Sequence, residues 1–286
     1  MLEKILRNGR ALVGAALAVL IALAWSYLWQ GAGMGMSALE MTILALFPHA
    51  QPEPMPGMDA PVIAYSTAVA MWWVMMIAMM VPGATPLILL YEKVARSAPR
   101  RADEGSTAAA TAPSGAVSNA PDLAGTAVLN TLLLAAGYLA CWLAFAVAAA
   151  GLQFAFQRRG LISPMVLWSR SAVLSAAVLI GAGLWQLSPL KHACLRHCRG
   201  PIHFLTRRYR PGPTGAFVMG LEHGAWCVGC CWTLMAVLFV AGVMNLAWIA
   251  LLTVLVLIEK LAPAGPIVSR ITGALLIAWG VATLLV

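Results

Sequence analysis

The sequence predicts an all-α fold, a polytopic bundle of transmembrane helices in a single domain spanning residues 1–286. Three observations carry this. Of the 286 residues 62% are hydrophobic. Only 10% are charged, against roughly 25% in a soluble domain, so a water-facing surface could not be covered. The apolar residues also run in long blocks, and about 20 of them at 1.5 Å rise cross a ~30 Å hydrocarbon layer.

The elements follow in order. A first segment over 11–29 stands behind Lys4, Arg7 and Arg10. Its apolar stretch exceeds the ~7–15 residues of a signal peptide core and favours a retained helix. The second segment is 62–90, and Pro82 and Pro86 near its end are expected to break the helix. The third is 123–152, the fourth 165–187 and the fifth 215–244. In the fourth, the Ser171/Ser175 and Ala172/Ala176 pairs suit close helix packing. The sixth segment, 246–258, is short and closes on Glu259 and Lys260. These adjacent charges point ~100° apart on a helix, need not pair with each other, and are expected to anchor at the inner interface. The seventh segment is 267–286. Seven spans result, or six if the sixth segment is re-entrant.

With the N-terminus inside, all 18 Lys and Arg lie in inner segments except Arg158, Arg159 and Arg170. This bias sets the orientation in a bacterial cytoplasmic membrane and places the C-terminus outside. It also accounts for the +8 charge without nucleic acid, and the lipid bilayer becomes the expected partner. The stretch 33–60 reads as an outer loop rich in Met, with His49 and acids, and 92–122 as a disordered inner linker. The sequence leaves the oligomeric state open.

Chemistry concentrates in the fifth segment, where Glu222, His223, Cys227, Cys230 and Cys231 interrupt an apolar helix. Ordinary packing accounts for one such Cys. It accounts poorly for the set, because ionisable groups in a membrane are costly and rare. His223 and Cys227 are four residues apart, as are Cys227 and Cys231, so neighbouring pairs can reach one ion. One helix cannot bring His223 and the three cysteines to a single point, so a site needs a partner helix or two ions. Met71, Met75 and Met79 form a row on the second segment, and Met76 and Met80 a second row. Core filling explains such rows as readily as metal ligation. The first row is expected to pack on the fifth segment and complete its site. On the inner side, Cys194 and Cys198 form a further candidate pair, and Cys141 reads as packing.

These residues resemble a bacterial family of predicted metal-binding integral membrane proteins of unknown function. The shared pieces are Met71-Trp72 with Ala78-Met79-Met80, Cys194 and Cys198 in their Pro-flanked stretch, Cys227-Val228-Gly229-Cys230-Cys231-Trp232, and Glu259-Lys260. The resemblance implies a metal and a membrane and supplies no reaction. Soft thiolate and thioether donors select Cu(I), with zinc as the second choice. The leading expectation is a membrane protein that handles Cu(I), by transport or by delivery to a metalloprotein or metallochaperone partner. A copper-dependent membrane oxidoreductase and a thiol–disulfide membrane oxidoreductase are the alternatives, and the balance leans away from an enzyme.

Overall fold

The computed structural model describes residues 9–32, 39, 42, 64–106, 120–163 and 167–285, and their side chains except at 98–106 and 120–124. The fold is all-helical. Among the described residues the named helices are α1 (Gly9–Trp29), α2 (Tyr65–Ser106), α3 (Ala120–Arg158), α4 (Ala172–Leu187), α5 (Pro189–Arg199), α6 (Pro201–Arg208), α7 (Gly212–Ala236), α8 (Leu238–Ala241), α9 (Leu246–Leu261) and α10 (Gly265–Leu285).

Five of these segments are long and apolar enough to cross a membrane, and six if the bent pair α4–α5 counts as one. The expected sixth span, α9, has 16 residues. It is therefore shorter than the five. Much of the expected outer loop 33–60 lies outside the described residues, although Thr42 Oγ1 accepts from the Leu246 amide at 2.9 Å and so touches the start of α9. Of the stretch 92–122, residues 92–106 and 120–122 are helical, and 107–119 lie outside the described residues.

Pro82 and Pro86 do not break α2, contrary to the sequence expectation; the helix runs on to Ser106. Proline is tolerated inside a helix that neighbouring elements support. Here α2 is packed by α1, α3 and α9, and Tyr138 of α3 donates to the Met80 carbonyl at 3.1 Å, in the turn before Pro82.

The α3–α7 contact organises the centre. Backbones approach closely where glycine replaces a side chain: Gly137 faces the Phe217 carbonyl and Gly220 faces the Leu134 carbonyl. The α4–α10 pair repeats this through Gly183, Gly273 and Gly280, with Ser175 and Ala176 buried on α4.

Between α4 and α5 the chain bends by 64°. Ser188 caps both helices: its amide donates to the Trp185 carbonyl at 3.0 Å, and its Oγ accepts from the Lys191 amide at 3.1 Å. Side-chain capping satisfies groups that a helix end otherwise leaves bare. The bend lays α5 along α7, where His197 stacks on Trp226 with ring centroids 4.2 Å apart.

Candidate metal centre

On α7, Met219, His223, Cys227, Cys230 and Cys231 are all buried. Cys230 Sγ donates to the Cys227 carbonyl at 3.1 Å, and Cys231 Sγ donates to the same carbonyl at 2.9 Å. The three thiols therefore sit around one turn, and their other partners come from different helices.

Cys231 Sγ lies 3.8 Å from Met80 Sδ of α2. Cys230 Sγ lies 3.9 Å from Cys198 Sγ of α5. Cys227 Sγ receives Lys260 Nζ of α9 at 2.8 Å and stands 3.1 Å from Tyr138 Oη of α3. Lys260 Nζ is also 3.8 Å from Met80 Sδ. Sulfurs from α2, α5 and α7 are thus gathered with an ammonium from α9 and a phenol from α3. The contacts split the cysteines. Cys230 faces the α5 side with Cys198, Cys231 faces the α2 side with Met80, and Cys227 lies between them, touching Cys198 as well as its polar partners.

The tyrosine limits the protonation patterns. Its single hydroxyl proton serves either the Met80 carbonyl or the Cys227 sulfur. When it serves the carbonyl, Cys227 donates to the phenol oxygen. When Cys227 is a thiolate, the Lys260 ammonium supplies a charge-assisted donor.

The other expected residues are placed as follows. His223 is buried beside the rings of Tyr138, at 5.8 Å, and Phe204, at 5.4 Å; its Nδ1 has no hydrogen-bond partner. Glu222 points away from the thiols to Arg208, at 2.8 Å on the partly exposed side of α7. Cys194 sits against Gly229, where an added Cβ would lie 3.1 Å from its sulfur. Met71, Met75, Met76, Met79 and Met80 are all fully buried. The thioether at the thiols is Met80 of the second row, and no described sulfur–sulfur contact joins Met71, Met75 or Met79 to a cysteine. Cys141 packs against Gly224. All six cysteines are free thiols.

Glu259 and Lys260 are not interface anchors. They are 2% and 5% exposed. As expected they do not pair with each other. Glu259 accepts from Lys191 Nζ at 2.7 Å and from Gln186 Nε2 at 2.9 Å, while Lys260 turns to Cys227 and Met80. The α9 helix has packed them inward because each finds a partner there. Charged groups inside an apolar segment are the signal that marks them. Nothing in the sequence singles out Tyr138.

Among the described residues no group of three or more His, Cys, Asp and Glu side chains converges on a metal-holding point. The soft donors instead come as two thiols with a thioether, Cys227, Cys231 and Met80, and as the adjoining pair Cys198–Cys230, whose Cys198 also touches Cys227. Sulfur donors of these two kinds suit a soft monovalent ion far better than a hard one.

The fold is thus an all-helical bundle with a sulfur-lined interior, a class that suits soft-metal handling. The chain belongs to the PpoB2 family of copper chaperones, whose model matches residues 69–283. That stretch takes in every sulfur named above. No curated protein and no solved structure matches the chain.

Proposed function

We propose that the protein is a membrane-embedded carrier that holds Cu(I) on buried sulfurs and delivers it to a metalloprotein partner. Copper is the cargo. Cys227, Cys231 and Met80 hold it, and Cys198 with Cys230 form the neighbouring station through which it is exchanged. His223, with its unpartnered Nδ1 one turn from Cys227, supplies a further donor during exchange.

One observation carries this reading: Cys231 and the Met80 thioether, from helices distant in sequence, meet at 3.8 Å beside the Cys227 turn. Thioethers bind Cu(I) without releasing a proton, whereas thiols must lose one. A mixed set therefore holds the ion without closing around it as four thiolates would. The five or six apolar helices and the clustering of Lys and Arg support a bacterial cytoplasmic membrane with the N-terminus inside. Family membership supports copper over zinc.

The test is copper content and transfer in detergent-purified protein loaded with Cu(I) under reductant. The wild-type chain is expected to hold copper stoichiometrically and yield it to a soluble Cu(I)-binding acceptor. The Cys227→Ala/Cys231→Ala variant is expected to stay monodisperse and lose that copper. Undiminished copper in a folded double variant would overturn the proposal.

A further inference from the structure

We propose that Lys260 is the built-in counter-charge of the loaded site and makes it selective for a monovalent soft cation. The inference rests on the Cu(I)-carrier reading above and adds the residue that sets the charge of the cargo.

Lys260 is 5% exposed. An ammonium withdrawn from water needs a negative or strongly polar partner. The obvious candidate is the neighbouring carboxylate, yet Glu259 is already held by Lys191 at 2.7 Å and Gln186 at 2.9 Å. Among the described residues no carboxylate forms an ion pair with Lys260. Its Nζ instead meets the Cys227 sulfur at 2.8 Å and the Met80 sulfur at 3.8 Å. The position is built from the far side as well. On α2, Gly83 leaves room for the lysine stem, because an added Cβ there would lie 3.2 Å from Lys260 Cδ.

Charge counting gives this ammonium a function. Two thiolates, from Cys227 and Cys231, carry two negative charges, and the Met80 thioether carries none. One Cu(I) and one lysine ammonium bring the site to neutrality. A divalent ion on the same donors leaves one uncompensated positive charge in an apolar interior, which is costly. Without the lysine the preference reverses: a divalent ion on two thiolates is neutral, and Cu(I) leaves a net negative charge. The lysine touches the ligands rather than acting as one.

The experiment is paired competition for Cu(I) and Zn(II), each against a chelator of known affinity, on detergent-purified wild-type, Lys260→Leu and Lys260→Arg proteins. Lys260→Leu, which removes the charge without adding a sulfur donor, is expected to lower the Cu(I)-over-Zn(II) preference by at least about tenfold, and Lys260→Arg to keep it. A general packing lesion would weaken both metals together and leave the ratio unmoved. An unchanged ratio in folded Lys260→Leu overturns the counter-charge and leaves the carrier intact. A wild-type protein that binds no Cu(I) overturns the carrier reading, and this inference with it. Should Lys260→Leu not fold, Lys260→Gln removes the charge while keeping a polar end for the buried position. It is expected to shift the ratio in the same direction, and an unmoved ratio there overturns the inference too.

Discussion

Replacing Gly220 with Ala tests how the fold builds the centre. A Cβ at this position would overlap the Leu134 carbonyl oxygen and lie 2.9 Å from the Leu134 carbonyl carbon and 3.0 Å from the Tyr138 amide nitrogen. All three are backbone atoms, so no rotamer change relieves the overlap. Ordinary contact begins at 3.4 Å, so α3 and α7 must separate or slide. Overpacking a tight core costs about 1–3 kcal/mol and sometimes more. With backbone on both sides, the upper end of that range or beyond is expected. Tyr138 moves with its backbone and loosens its 3.1 Å contact to Cys227, so copper retention falls although no sulfur has been changed. Gly181→Ala is the control. Nothing lies within 4 Å of a Cβ there, and Gly→Ala in a helix stabilises by up to about 1 kcal/mol. The assay is thermal unfolding in detergent followed by tryptophan fluorescence, with copper content measured on the same samples. A Gly220→Ala protein that melts and binds copper like wild type refutes the close-approach argument.

Glu259→Gln leaves the fully buried Lys191 without its counter-charge and is expected to destabilise the protein by about 3–5 kcal/mol, whereas Lys191→Met combined with Glu259→Gln recovers most of that loss. Chemical denaturation of the single and double variants decides it: equal stability would show that the ion pair does not hold α5 to α9. Met80→Leu is expected to weaken Cu(I) retention, with packing cost below about 1.5 kcal/mol because volume is nearly conserved. The Met71→Leu/Met75→Leu/Met79→Leu variant is expected to keep its copper, and loss of copper from the triple variant with retention by Met80→Leu would hand the ligand role to the first row.

The all-helical fold was legible because apolar blocks of this length leave few other structures open, and the α7 thiols because several reactive groups interrupt one such block. Legibility stopped where tertiary packing chooses between faces of the same helix. Both methionine rows of α2 are apolar and buried, and sequence periodicity assigns neither to the thiols. The choice of Met80 follows from tertiary packing: α3 packs on both α2 and α7, and Cys231 of α7 meets α2 at Met80. Pro82 and Pro86 read as breakers because local propensity favours a stop, and support from α1, α3 and α9 overrides it. Glu222 looked like a ligand by its neighbours in sequence, but adjacent residues on a helix diverge by about 100°, and it faces Arg208. Glu259 and Lys260 diverge in the same way, the first to Lys191 and Gln186 and the second to Cys227 and Met80, which the packing of the neighbouring helices reveals.

The sulfurs of the centre sit at positions 80, 198, 227, 230 and 231, and the lysine beside them at 260. Apart from the α7 turn, none of these residues is near another along the chain. On the proposed function, a nascent polypeptide therefore has no complete set of sulfur ligands until α7 has docked against α2 and α5. Metal that binds only the assembled state stabilises that state by mass action. On the proposed function, cargo uptake then doubles as a check on assembly: an unfinished chain offers copper no complete site, and the docked bundle is tightened when it is charged.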